Sequence, residues 1–407
     1  MLQSLRAQVG LLATMQALVL TNNVTLVAIT GLAGFQLADN KLMATLPVTG
    51  YVLGGAIWAM PAAAFMRRFG RRLGYTVGSV AGMTGALAAW WAMTQASLVM
   101  LCAATFVTGL YSAFSASLRF AAADVADAYR PGFKARAISL VLTGGIVGGV
   151  VGPEVSKWSR TWLSTQFAGS YLTLAGFALL SLLLAQLLRV PSAAQAAQTA
   201  QDTRPPRALA EIVRQPACWT AVLISALGYG IMNLLMVATP LAMEVCRHPY
   251  ASAALVLEWH VIGMFAPGLF TGSLIQRFGV LPVVVTGCVL MATCVAIALS
   301  GVDLMQFLLA LTLLGVGWNF MYTGATTLLT SAYRPSEKNK VQGFMDLCVF
   351  TTMVTTSASS GAMLMVNGWS VLNLLSLPVV MVALASALWL AMRSGWALGR
   401  VPAAGGR

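Results

Sequence analysis

Two stretches of the chain carry side chains suited to holding a soft metal ion. His260 is followed at i+4 by Met264, and Met232 is followed at i+4 by Met236. On an α-helix, residues four apart lie about 40° apart around the axis and roughly 6 Å apart along it, so each pair forms one stripe. A short turn near residue 248 separates the two stretches, which makes them antiparallel neighbours. The midpoints of 236/260 and of 232/264 both fall at 248. Met236 is therefore predicted level with His260, and Met232 level with Met264. If the two stripes face each other, three thioethers and one imidazole converge at mid-membrane depth; such donors select soft or borderline ions, Cu(I) above all, and reject Mg2+ or Ca2+. Two plainer readings compete. Methionine is a flexible space-filler, and about one Met-x-x-x-Met pair is expected from 21 methionines in 407 residues. A histidine in mid-helix also serves as an interhelical hydrogen-bonder.

Met243, Cys246 and His248 cluster in the turn beyond these stripes. They are expected either to form a capture station for an incoming ion or to be an ordinary polar loop. The six cysteines are scattered with no CxxC pair, so no disulfide framework is predicted. No nucleophile–base pair or histidine–carboxylate cluster is visible, and an enzyme is not expected.

The elements that must position these residues are hydrophobic. The chain is 58% hydrophobic and only 9% charged, against roughly a quarter charged in soluble domains. Twelve apolar runs are predicted between residues 12 and 392, the seventh at 219–240 and the eighth at 253–275, each long enough to cross a bilayer. The net charge of +13 is a matter of topology. With the N-terminus inside, only Lys41, Lys157, Arg160 and Arg247 of the 24 basic residues fall outside, a positive-inside signature. Nucleic acid is thereby excluded as a partner. The lipid bilayer is the expected surroundings, with both termini cytoplasmic and no cleavable signal peptide evident.

Glu258 sits inside the eighth run, roughly 200° around the helix from His260 and so outside the stripe. A carboxylate at membrane depth is a functional candidate. It is expected to carry a coupling proton, to pair in a central cavity, or to reach water near the outer surface. Gln16, Asn22 and Asn23 are candidates to line a cavity.

The chain is a duplication. Ala128-Tyr-Arg-Pro-Gly-Phe-Lys-Ala-Arg136 recurs as Ala332-Tyr-Arg-Pro-Ser-Glu-Lys-Asn-Lys340, and Arg68-Phe-Gly70 recurs as Arg277-Phe-Gly279. Two parallel six-helix bundles are expected, residues 1–189 and 218–407. Residues 190–217 are expected to form a cytoplasmic linker with a short polar helix near residues 208–214.

These repeats resemble the major facilitator superfamily. Its loop motif after the second helix, Gly-x-Leu-Ala-Asp-Arg-x-Gly-Arg-Arg, is matched by Ala63-Ala-Phe-Met-Arg67-Arg68-Phe-Gly70-Arg71-Arg72 and, in the second half, by Gly272-Ser-Leu-Ile-Gln276-Arg277-Phe-Gly279. Arg67 and Gln276 replace the acidic member. The resemblance implies an all-α fold of twelve transmembrane helices, gated around Arg67, Arg68, Gly70, Arg71, Arg72, Arg277 and Gly279. Gly148-x-x-x-Gly152-Pro153 resembles the family's glycine-rich fifth helix, where small residues let helices approach.

The Met232/Met236 and His260/Met264 pairs, with Thr239-Pro-Leu-Ala-Met243 and Trp259-His260-Val-Ile-Gly-Met264-Phe-Ala-Pro267, are similar to the CcoA-like copper importers of that superfamily. This closer resemblance implies Met232, Met236, His260 and Met264 as ligands of a transported copper ion, taken as Cu(I), with no permanently bound cofactor. It implies a monomer in the bacterial inner membrane that passes copper to a cytoplasmic acceptor for assembly of cbb3-type cytochrome oxidase. The same branch contains riboflavin importers that lack the Met/His set. The alternative is thus a carrier of an organic solute, a flavin or a drug, stacked on residues such as Trp58, Trp318 or Tyr322. A membrane copper sensor or chaperone is a third reading, and no segment is long enough for the soluble domain it would carry.

Overall fold

A computed structural model describes residues 5–129, 134–189 and 207–394. The linker at 190–206, residues 130–133 of the first repeat copy, and Arg400 and Arg407 lie outside the described residues. The first half of the chain forms α1 (Leu5–Leu37), α2 (Leu46–Phe69), α3 (Arg71–Thr94), α4 (Leu98–Ser115), α5 (Leu118–Tyr129), α6 (Lys134–Ser159) and α7 (Ala168–Leu187). A short α8 (Leu209–Val213) follows, where the polar helix was expected. Then come α9 (Pro216–Val245), α10 (Tyr250–Phe265), α11 (Gly268–Phe278), α12 (Val280–Ser300), α13 (Leu304–Thr330) and α14 (Lys338–Ser394).

By length and composition, eight helices among the described residues can cross a membrane, or nine with the bent pair α10–α11 counted as one span. That pair bends by 40° at Ala266–Pro267, because a proline supplies no N–H and its ring crowds the preceding turn. The 57 residues of α14 are two rods, divided at Gly368 by a φ of 77°. With α3 and α6, which are richer in Gly, Ser and Thr, the described residues make twelve rods of spanning length. The predicted all-α, twelve-helix architecture is the one observed.

The duplicated Arg-Phe-Gly turns share their backbone. Gly70 has φ 87° and ψ 159°, and Gly279 has φ 96° and ψ 166°. A side chain at either φ would clash with its own backbone, so glycine stops one helix and starts the next within a single residue. Arg68 lies over the ring of Phe69 at 5.3 Å, and Arg277 over Phe278 at 5.2 Å.

Apolar burial does little to join helices inside a bilayer, where the lipid is equally apolar; close packing and hydrogen bonds do the joining. α6 meets α1 through Gly148, where an added Cβ would lie 2.6 Å from the Leu20 Cβ and 2.7 Å from the Thr21 amide nitrogen. Thr25 donates to the Gly152 carbonyl at 2.9 Å, and Asn22 donates to the Leu174 carbonyl at 3.0 Å. Asn22, expected to line a cavity, is instead fully buried and ties α1 to α7.

The described chain packs as two compact units. One comprises residues 5–189, 237–262 and 357–366, and the other residues 207–236, 263–356 and 367–394.

Candidate functional site

Three aromatic rings from two helices meet in the second unit. Trp318 and Tyr322 are i, i+4 on α13, and their rings stack with centroids 5.4 Å apart and planes 9° from parallel. Tyr229 of α9 stands edge-on to both, at 5.0 Å in each case and at 88° and 89°. Edge-to-face contact sets the positive rim of one ring against the negative face of another. Trp318 is 6% exposed, and its indole nitrogen has no hydrogen-bond partner among the described residues. Tyr229 and Tyr322 are half-buried. One turn along α9, Asn233 donates to the Met353 carbonyl at 3.0 Å and to Thr356 Oγ1 at 2.9 Å. Thr352, one turn before Thr356, donates to the Ala226 carbonyl at 3.1 Å. These polar ties fix α14 against the face of α9 that carries Tyr229. Trp58, the other stacking candidate, is 39% exposed on α2 and takes no part in the cluster.

The methionine and histidine stripes lie on α9 and α10. Met232 is 2% exposed and His260 fully buried, while Met236 and Met264 are half-buried. Met232, Met236 and Met264 belong to the second unit and His260 to the first. On α9, positions 229, 232, 233 and 236 fall within about 100° of arc, so Tyr229 and both methionines share one face. Among the described residues no three His, Cys, Asp or Glu side chains converge. A metal ion here would depend on thioether donors.

Met264 ends α10 at the bend, and its backbone carbonyl is held by Asn319 of α13 at 2.7 Å. The Asn319 side-chain oxygen accepts from Thr271 at 2.7 Å, and Thr271 also donates to the Pro267 carbonyl at 2.7 Å. The Met264 carbonyl at the bend is thus satisfied by the Asn319 amide, while the Pro267 carbonyl also accepts from the Phe270 and Thr271 amides of the next helix. Sequence reasoning singled out neither residue. The available signal was a proline inside an apolar run, next to an asparagine in a later one.

The ends of the helices remote from the Arg-Phe-Gly turns carry a second polar group, within the first unit. The Tyr250 hydroxyl, at the start of α10, donates to Ser156 Oγ at 2.8 Å, and Ser156 donates to the Pro153 carbonyl at 2.7 Å. Arg160, just past the end of α6, lies over the Tyr250 ring at 4.5 Å. Beside them is a cavity of about 260 Å3 lined by Gln36, Arg160, Gln166, Glu244, His248 and Tyr250 among others. The three expected capture residues do not line it together. His248 does, Met243 is fully buried, and Cys246 is half-buried with its thiol pushed above its ordinary pKa by burial. Glu258 is half-buried two turns into α10, within electrostatic reach of the Glu154–Lys157 ion pair on α6.

At the basic end, Arg71 makes a 2.5 Å ion pair with Asp124 of α5 and donates to the Ser117 carbonyl at 3.2 Å. Arg119, on the same helix as Asp124, lies over the Phe120 ring at 4.9 Å. In the second half Glu337 is fully buried, accepting from Arg207 Nη2 at 2.7 Å, Arg207 Nε at 2.9 Å and the Arg334 amide at 3.0 Å. The Arg207 guanidinium holds the Glu337 carboxyl well below the usual carboxylate range. Lys340 donates to the Arg207 carbonyl as well.

A sequence profile of the Major Facilitator Superfamily matches residues 10–266 and 250–403. The riboflavin transporter RfnT of Brucella anthropi is 38% identical over 380 residues, which cover 93% of this chain and 94% of that protein. A solved D-xylose–proton symporter superposes with a TM-score of 0.73 at 15% identity, covering 95% of this chain and 97% of its own. The nucleoside transporter NupG superposes at 0.72 and 13% identity, covering 93% and 99%. At such identities these two structures bear on the fold alone.

Proposed function

Because the chain belongs to the major facilitator superfamily, we propose that it is a secondary transporter importing riboflavin, or a closely related planar organic solute, across the bacterial inner membrane. The observation that carries this reading is the 38% identity to a riboflavin transporter over nearly the full length of both chains. The cluster of Tyr229, Trp318 and Tyr322 supports it, because a flat heteroaromatic solute is recognised chiefly by stacking.

The basic end, with the Arg67–Arg72 and Arg277–Gly279 turns, is taken as cytoplasmic by the positive-inside rule. Solute enters at the far end, where Tyr250 and Ser156 must part to admit it. Rocking about the central site then releases it inside. Glu258 is the acid proposed to carry a coupling proton. Accumulation of labelled riboflavin by a riboflavin-requiring bacterium without its own importer tests the assignment. Uptake no greater than with empty vector would falsify it.

Copper import is the second reading. It is favoured by two soft donors placed out of water on consecutive helices, Met232 and His260. Met236 and Met264 would complete the ligand set, and the ion would pass to a cytoplasmic acceptor for cytochrome oxidase assembly. The sequence pattern alone put copper first; the riboflavin-transporting relative reverses the order.

A further inference from the structure

We propose that Trp318, Tyr322 and Tyr229 form the subsite for the planar ring of the transported solute, with the Trp318 indole N–H donating to a hydrogen-bond acceptor on that ring. The inference rests on the organic-solute reading and adds to it the residues that select for a flat, acceptor-bearing heteroaromatic.

Three observations point there together. The indole nitrogen of Trp318 is a donor in a side chain only 6% exposed, and no partner takes its proton. Buried indole N–H groups ordinarily find an acceptor, and this one, unlike that of Trp90, stands in a cluster of rings able to stack on a planar molecule that could supply it. The rings are also not sealed. Tyr229 and Tyr322 remain half-buried, so part of each ring is left to meet a further planar group. Finally, the cluster sits near the middle of two long helices. Tyr229 is the fourteenth residue of the 30-residue α9, and Trp318 the fifteenth of the 27-residue α13. That places it at mid-membrane depth, where carriers of this kind hold their solute. Packing alone would be served as well by leucine, without stranding a polar N–H in an apolar layer.

Asn233, Thr352 and Thr356 surround the same face of α9 but bond to one another and to backbone. They hold the cluster's walls. The selective donor is Trp318.

The test measures labelled riboflavin uptake by cells making the full chain, compared with Trp318→Phe and Tyr322→Leu at matched membrane levels. Trp318→Phe keeps an aromatic ring and removes the donor, together with the stacking area of the indole's five-membered ring. It is expected to raise KM about tenfold, the ratio for one ordinary hydrogen bond, with Vmax little changed. Tyr322→Leu removes the stacking partner and is expected to raise KM by a similar factor. Trp91→Phe, 49% exposed on α3, is the control and should keep the parental KM. The purified full chain gives a second readout, since riboflavin fluorescence is quenched by stacking on indole; quenching should weaken in Trp318→Phe. Parental KM and parental quenching in both variants would overturn the subsite while leaving the riboflavin reading intact. A parent that neither carries nor binds riboflavin would overturn both.

Discussion

Tyr229 and Met232 stand three residues apart on one face of α9, but the fold surrounds them differently. Tyr229 is one of three rings that meet, edge-on at 5.0 Å to each of two stacked rings from α13. Met232 belongs to a periodicity, an i, i+4 stripe on α9 that mirrors a second stripe on α10. Helical spacing tells which residues share a face. It does not tell which face of another helix arrives opposite. The aromatic positions meet within one unit, whereas Met232, Met236 and Met264 belong to that unit and His260 to the other. On the proposed reading the aromatic face takes the solute, and the methionines are the soft apolar lining beside it.

The largest expected effect attacks the frame that both regions share. Asn319→Leu strands the Met264 carbonyl at the α10–α11 bend and leaves the Thr271 hydroxyl only the Pro267 carbonyl. Loss of such buried partners costs about 1–3 kcal/mol, and riboflavin uptake should fall at least tenfold per molecule in the membrane. Asn319→Asp, which retains the acceptor for Thr271, should recover none of the bond to the carbonyl. Uptake kinetics at matched expression check this, and parental kinetics in Asn319→Leu would show that the bend needs no clamp.

A smaller effect is expected at the far end. Tyr250→Phe removes one hydrogen bond to Ser156, worth about 0.5–1.5 kcal/mol, and should shift the closed arrangement toward opening by roughly twofold to tenfold. Labelling of Cys246 by a membrane-impermeant maleimide, with the other cysteines replaced, should speed up accordingly. Unchanged labelling would mean that this contact does not gate access.

A third prediction separates stability from transport, using a pair remote from both regions. Arg207 depresses the carboxyl of Glu337, so its contribution is fully present above the unfolded carboxylate pKa of about 4.3. It is lost as pH falls through the lower folded value. Thermal unfolding of the solubilised parent should therefore decline below about pH 4, and Arg207→Gln should flatten that decline. Identical profiles would remove the pair from any role in stability.

The smallest effect is the most discriminating. Met232→Leu with Met236→Leu preserves volume and removes two thioethers, a swap that costs under about 1.5 kcal/mol. Riboflavin uptake should stay within about twofold. A collapse would move the selective chemistry from the rings to the sulfurs.

Much of the fold was legible. Apolar runs long enough to span, and Arg-Phe-Gly recurring at the same rank in each half, point to twelve helices and a duplication, and the two glycines do share one backbone conformation. The Trp318–Tyr322 stripe was legible too, as an i, i+4 pair. The arrival of Tyr229 on it was not, because the register between α9 and α13 is set by packing along both helices. The same limit hid the other long-range partners. Arg71 finds Asp124 across 53 residues, and Tyr250 finds Ser156 across 94. Arg119 lies over the adjacent Phe120 ring, and Arg71 reaches Asp124 from the neighbouring turn. Periodicity such as that of the Met/His stripes is visible in a sequence, whereas the surroundings of the Trp318 indole are visible only in the fold.

The central claim is that this carrier selects a planar organic solute. Its most direct test is paired uptake in one strain, with labelled riboflavin and radioactive copper offered separately to cells with and without the protein. Saturable riboflavin accumulation that unlabelled riboflavin competes away, with copper entry equal to the empty-vector control, is the predicted result. Protein-dependent copper entry abolished by His260→Ala, with no riboflavin uptake, would contradict it.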